Sequence, residues 1–197
     1  MERLKKDPQY VELKPDAHQV IELKYATEDN FTGTDLYGPF KKCYLQKVAA
    51  DKYKNAVKNL QKTHPGWKFI IYDALRPRSV QWRLWEKVKG TSQQKYVADP
   101  EKGSNHNYGL ALDIGLVDDK GQIVDMGAPF DGFTPISEPK REAEMLKAGK
   151  LTREQLSHRL ILRKAMTEAG FTQLAHEWWH YDALPMSQIR GKFQIVG

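Results

Sequence analysis

With a single cysteine, Cys43, among 197 residues, the chain has no means of forming an internal disulfide, a multi-cysteine zinc site or an iron–sulfur centre. Cys43 lies in Lys41-Lys42-Cys43-Tyr44-Leu45, at the start of an amphipathic pattern, which suits a packed thiol better than a nucleophile. Long apolar runs are also missing: none approaches the roughly 18–20 residues that a membrane-spanning helix needs. Met1 to Pro8 lacks the apolar core of a secretory signal. The expectation is a soluble, cytoplasmic chain, or a periplasmic one if a leader has been trimmed. No repeat, low-complexity linker or long block of like charge divides the sequence. Its length therefore points to one domain over residues 1–197, within the usual span of about 100–200 residues. The formal charge of +6 permits attraction to anionic surfaces, but the lysines are interleaved with acids, as Lys52, Lys54 and Lys58 are after Asp51. A solvated surface explains them. Without a basic stripe or a base-stacking motif, nucleic acid is the weakest candidate partner.

What is present is a set of short periodic segments. Residues 1–23 carry alternations such as Val20-Ile21-Glu22-Leu23 and read as extended. A polar, turn-rich segment from Lys24 to Gly33 holds Tyr25 and Phe31, which reads as a surface turn with both rings packed beneath it. From Tyr44 to Gln61 apolar residues, Val48 among them, recur at helical steps. Trp67 to Ala74 reads as a central strand, followed by a helix from about Ser79 to Lys89. Leu110 to Val117 reads as a further strand, with Asp118 to Gly121 as a hairpin turn and Gln122 to Asp125 returning antiparallel. The long Gly/Pro-rich loop from Met126 to Pro139 suggests a functional rim. Helical signals resume over Arg141 to Lys147 and after the Thr152 cap, with Leu156, Leu160, Ala165 and Ala169 marking the second helix and Gly170 as the stop. Phe171 to Tyr181 closes the chain's readable part as a strand-like segment.

Two places carry chemistry. Asp113 is an acid inside an apolar strand, where an unpaired buried carboxylate costs several kcal/mol. Gly109, Ala111 and Asp113 share one strand face, and His106 lies in the turn that enters the strand. Either a metal joins His106 and Asp113, or Asp113 pairs with arginine or backbone donors and His106 faces solvent. The second place is His176-Glu177-Trp178-Trp179-His180, which spells H-E-x-x-H. On a helix this pattern places two zinc ligands on one face with a general base beside them. Yet Trp178, Trp179, His180 and Tyr181 are mediocre helix formers, and they follow Gly170 closely. In a strand the two histidines stand roughly 13 Å apart, so one ion can take only one of them. A regular strand also sends Glu177 and His180 to opposite faces, so a local break is needed to bring both to one site.

Ser104-x-His106-x-x-Gly109-x-Ala111-x-Asp113, together with Glu177-Trp178-Trp179-His180, resembles the signature of the LAS-type zinc peptidases, in particular the D-alanyl-D-alanine dipeptidases of the VanX type. Tyr25-Ala26-Thr27-x-Asp29-Asn30-Phe31-Thr32-Gly33, Asp73-x-x-Arg76-Pro77, Met126-Gly127-x-x-Phe130-Asp131 and the helix ending in Gly170-Phe171 match in the same order. The resemblance implies an α+β hedgehog-like metallopeptidase fold, in which helices flank a small, mostly antiparallel sheet that carries the site. It implies one Zn2+ per chain, held by His106, Asp113 and His180, with Glu177 as general base and acid and Arg76 as oxyanion stabiliser. Ser104, Tyr25 and Asp131 would surround the free amino end of a small D,D-dipeptide. A His2Asp set also accepts other divalent ions. The chain departs from the resistance-type members in a shorter stretch between Arg76 and His106, and at Asn105, Asn107 and Tyr108. His176, His64, His158 and His18 have no matching role. Two other functions remain open: a peptidoglycan carboxypeptidase or endopeptidase of the same superfamily, and a non-enzymatic zinc-stabilised binding module.

Overall fold

The computed structural model describes residues 2–197, with side chains from Leu4 onward. Among these residues seven strands and six α-helices form an α+β fold. Strands β1 (Tyr10–Leu13) and β3 (Cys43–Gln46) make a small antiparallel pair. The main sheet runs in the order β2 (Gln19–Ile21), β4 (Lys68–Asp73), β5 (Ala111–Val117), β7 (His180–Asp182) and β6 (Thr172–Gln173). Only the β2–β4 pair is parallel; β4, β5, β7 and β6 are antiparallel neighbours. The fully buried β5 is therefore the middle strand, and it delivers Asp113 to the centre of the molecule.

Helix α1 (Glu2–Lys6) precedes β1, in a stretch that the sequence pattern reads as extended. Helix α2 (Lys47–Thr63) starts later than the apolar period suggests, because Cys43–Gln46 pairs with β1 and Gln46 then caps the helix through Val48 N. Its inward stripe is Ala49, Tyr53, Ala56 and Leu60, while Val48 is turned outward. Burying a side chain such as Leu60 contributes about 1.5–3 kcal/mol. Tyr53 meets Phe69 of β4 with ring centroids 5.6 Å apart, and Asn59 Nδ2 donates to Ala165 O at 3.1 Å on α5 (Arg153–Glu168). Cys43 is buried against this core, and burial pushes its thiol well above the ordinary range, in keeping with a packed, inert residue.

Helix α3 (Arg78–Val88) follows β4 as expected, with Val80, Leu84 and Val88 inward and Trp85 only half-buried. Helices α4 (Glu142–Lys147) and α5 also stand where the sequence places them, α5 behind a Thr152–Gln155 capping box. Of the apolar residues that mark α5, Ala165 and Ala169 are buried and Leu160 is 48% exposed, and Arg159, Leu162 and Met166 complete the inward face. Arg159 Nε donates to Met126 O at 2.7 Å, and its Nη1 lies 3.5 Å from Glu142. The expected return strand over residues 122–125 is reduced to one bridge, Val117 with Ile123, before the chain leaves for the rim loop. The strand-like segment from Phe171 to Tyr181 is two short strands, β6 and β7, joined by an irregular excursion that supplies the break needed between Glu177 and His180. Short helix α6 (Met186–Ile189) lies beyond them.

Candidate metal centre and active site

The site forms where β4, β5 and β7 meet the turn before β5. That turn is a single 3-10 helix, Asn105–Tyr108, closed at its start by a reciprocal Ser104–Asn107 capping box and at its end by Gly109 with φ +68°. It folds His106 back over the strand it precedes. His106 Nδ1 lies 2.7 Å from Ala74 O, so that nitrogen carries the proton and Nε2 faces inward with a free lone pair. On β7, in register with Asp113, His180 has the opposite orientation: Nε2 is 3.0 Å from Asp182 Oδ1, and Nδ1 faces Asp113 Oδ1 at 3.0 Å. His106 Nε2 stands 3.2 Å from His180 Nδ1 and 3.3 Å from Asp113 Oδ1.

These three inward donor atoms form a triangle, all within 4.8 Å of one another and all on buried residues. Ligands placed about 2.0–2.1 Å from a tetrahedral zinc lie roughly 3.4 Å apart. The triangle therefore fits a divalent cation, and two nitrogens with one carboxylate oxygen leave a fourth position open. Burial works against the Asp113 carboxylate, but the two imidazoles hold its pKa well below the usual range. His180 is pushed up despite burial by its bonds to Asp113 and Asp182.

Glu177 reaches the same place because the strand breaks before His180. Leu174 N donates to His180 O at 3.0 Å, closing the hairpin, while Trp178 N donates to Ser137 O at 3.0 Å and Trp178 Nε1 to Ala128 O at 3.1 Å. These ties pull residues 175–178 towards the rim loop and leave the Glu177 carboxylate 4.0 Å from His180 Nδ1. Burial raises the Glu177 pKa to about 7, with Asp113 adding to the rise against His180. His176 instead is exposed and meets Lys140 at 2.8 Å, away from the triangle.

Arg76 leaves the end of β4 and is buried beside Asp113. Its Nε and Nη2 both contact Asp73 Oδ2 at 2.7 Å, Nη1 donates to Gln81 Oε1 at 2.9 Å, and Nη2 approaches Asp113 Oδ2 at 3.5 Å. Burial opposes its charge, but the Asp73 carboxylate, then Tyr25 and Asp113, hold its pKa above the ordinary value. Hydrogen bonds engage Nε, one N–H of Nη1 and one of Nη2, while the Nη2–Asp73 contact is an ion pair, so Nη1 keeps a second N–H that these bonds do not use. The Tyr25 ring lies over the guanidinium at 4.9 Å, and Tyr25 Oη donates to Asp131 Oδ2 at 2.8 Å. Asp131, in the left-handed region at φ +56°, has its pKa raised well above the usual range by burial and then by Asp113. Ser104, Tyr25, Arg76, His106, Asp113, Asp131, Glu177 and His180 thus line one cleft of about 290 Å3.

The site also uses residues to which the sequence reading assigns no role. Asp73 anchors Arg76 and accepts from Tyr37 Oη at 2.5 Å; as an acid ending the apolar run Phe69-Ile70-Ile71-Tyr72, it carried the same signal as Asp113. Asp182 orients His180 and stands two residues from it, hence on the same strand face. Gln81 had no signal beyond being a polar residue on a helix.

A small α+β fold with a candidate His/Asp/His metal group lining a cleft suits a metallopeptidase. The comparisons make the class specific. The family model described as D-ala-D-ala dipeptidase, Peptidase M15, matches residues 6–193, and the chain belongs to that family of peptidases. A D-alanyl-D-alanine dipeptidase of Escherichia coli is 36% identical over 162 residues, covering 82% of this chain and 77% of that protein. Similar proteins of the same name in Enterococcus faecium and Enterococcus faecalis are 30% and 27% identical over 178 residues each, with 81% of this chain and 83% of theirs covered. Among the described residues no helix is long and apolar enough to cross a membrane.

Proposed function

We propose that the protein is a zinc-dependent dipeptidase that hydrolyses D-Ala-D-Ala, or a close D,D-dipeptide, to free D-amino acids, and that residues 1–197 act as one domain. The observation that carries this reading is the buried triangle of His106 Nε2, Asp113 Oδ1 and His180 Nδ1, with the unligated Glu177 carboxylate beside it. A Zn2+ held there would supply Lewis-acid polarisation of the peptide carbonyl and acidify the attacking water. Glu177, 4.0 Å from His180 Nδ1, takes the proton from that water and then delivers a proton to the leaving amine. Arg76, fixed by Asp73 and Gln81, offers its remaining Nη1 donor to the oxygen on which negative charge develops. Ser104 and the Tyr25–Asp131 pair hold the substrate's amino end, where hydroxyls and a carboxyl suit an ammonium group. The buried ring of Tyr25 and the indole of Trp179 help exclude bulk water.

At about 290 Å3 the cleft lies at the lower edge of the roughly 300–1,000 Å3 typical of small-molecule sites, which favours a dipeptide over a peptidoglycan stem. Comparing free D-Ala-D-Ala with a pentapeptide stem at equal enzyme separates a dipeptidase from a carboxypeptidase or endopeptidase. The central test pairs D-alanine release with a metal assay. Glu177→Ala is expected to retain zinc while losing about 10²–10⁴-fold in kcat, the usual contribution of a positioned proton-transfer group. His180→Ala is expected to lose the zinc itself. A Glu177→Ala enzyme of near-normal turnover would sink the mechanism.

A further inference from the structure

We propose that Gln81 is a positioning residue that couples Arg76 to the cleft wall bounding the substrate; the inference rests on the role given to Arg76 above. Gln81 lies in the first turns of α3 and is fully buried, at 0% exposure, where the helix's apolar stripe would take an aliphatic residue. Its amide bridges two elements: Oε1 accepts from Arg76 Nη1 at 2.9 Å, and Nε2 donates to Ala98 O at 2.8 Å. This orientation is forced by chemistry, since a guanidinium only donates and a backbone carbonyl only accepts.

Each end of the bridge has a consequence. On the Arg76 side, Asp73 grips Nε and Nη2 through one and the same oxygen, Oδ2, which acts as a hinge. Nη2 reaches Asp113 Oδ2 only at 3.5 Å and Tyr25 covers one face, so the shorter bond from Nη1 to Gln81 is the in-plane contact that most restrains rocking about that oxygen and aims the remaining Nη1 donor. On the other side, Tyr96, Val97 and Ala98 line the cleft, and Tyr96 stacks on Phe133 with ring centroids 4.8 Å apart and planes 12° from parallel. The wall is thus held by a ring stack at Tyr96 and by Gln81 at Ala98. Arg78 Nε, donating to Pro100 O at 2.9 Å, anchors the chain just beyond. That third anchor keeps the segment in place overall when Gln81 is changed, so a variant reports on fine position.

The two bonds can be separated. Gln81→Met keeps the length of the side chain but removes both. Gln81→Glu keeps an acceptor for Arg76 and, ionised beside the guanidinium, has no proton to donate to Ala98 O. With D-Ala-D-Ala as substrate, Gln81→Met is expected to lower kcat about tenfold to a hundredfold with zinc content unchanged, as for loss of a hydrogen bond to a charged group. Gln81→Glu is expected to hold kcat within about threefold while KM rises about threefold to tenfold, the size of one neutral hydrogen bond. A packing role alone would not split the two constants between the two variants. A Gln81→Met enzyme within about twofold of the parent in kcat overturns the inference, and so does a Gln81→Glu enzyme that loses kcat as Gln81→Met does. If Gln81→Met fails to fold, Gln81→Glu alone decides: a kcat within about threefold of the parent with a raised KM supports the inference, and a kcat loss of about tenfold or more, or an unchanged KM, overturns it. Arg76→Ala is measured in parallel: normal turnover there overturns the reading of Arg76 itself, whereas a crippled Arg76→Ala beside a normal Gln81→Met overturns only the role of Gln81.

Discussion

The two histidines of the triangle present different ring nitrogens, and the difference lies in what holds the other nitrogen. His106 is oriented by a backbone carbonyl, Ala74 O, which no side-chain substitution removes. His180 is oriented by a side chain, Asp182, through its Nε2. Partners of this kind fix the tautomer and raise the basicity of the ligating nitrogen, and their loss typically costs about 10–100-fold in metal affinity. Asp182→Ala is therefore expected to weaken zinc binding by about that factor while leaving Glu177 and the rest of the triangle in place. Competition against a chromophoric chelator reads the affinity directly. Unchanged affinity would show that register with Asp113 on β5 suffices to orient His180.

At the level of elements, the site depends on how tightly the Asn105–Tyr108 turn is pinned at the mouth of β5. Gly109 closes it at φ +68°, and a Cβ there would lie 2.9 Å from the backbone nitrogen of Gln46, which itself donates to Gly109 O at 2.9 Å. The left-handed conformation alone costs an L-residue about 1–2 kcal/mol, and a backbone clash adds to it. Gly109→Ala is expected to destabilise the protein by about 2–4 kcal/mol in urea unfolding, against about 1 kcal/mol for loss of the Thr152 cap. A loss below about 0.5 kcal/mol, the size of an ordinary surface change, would show that the turn yields freely. The same turn shows what the sequence made legible. His106, Gly109, Ala111 and Asp113 could be read together because a strand with an entering turn is local, and Asp113 announced itself as an acid in an apolar run. The break that brings Glu177 beside His180 could be required but not located, since it is held by Trp178 bonds to Ser137 and Ala128, some forty to fifty residues away. Strand β3 read as the start of α2 for a similar reason: its partner β1 is about thirty residues earlier. On α5 the inward face includes a buried arginine, Arg159, which an apolar count does not register.

For the whole molecule the question is how far a cation is part of the fold. The three candidate ligands come from the turn before β5, from β5 and from β7, so an ion held by them would tie segments about seventy residues apart at the middle of the sheet. Much of the chain does not depend on that tie. The stripe of α2 on β4 and α5 and the fully buried Leu110, Leu112, Ile114 and Leu116 pack chiefly through apolar contacts away from the triangle. The outer partners of the two histidines, Ala74 O and Asp182, are likewise supplied by the protein itself. Chelation is thus expected to abolish D-alanine release completely while leaving the far-ultraviolet circular dichroism of the native fold. Stability should fall with it: an ion at about 100 times its dissociation constant contributes roughly 2.7 kcal/mol. For a chain of this size that corresponds to a decrease in Tm of about 5–11 °C, reversed by adding back zinc. Hydrolysis that persisted after complete metal removal would overturn the proposed chemistry. Loss of the circular dichroism signal on chelation would instead show that the cation is a structural keystone, as it is in small domains that cannot fold without metal.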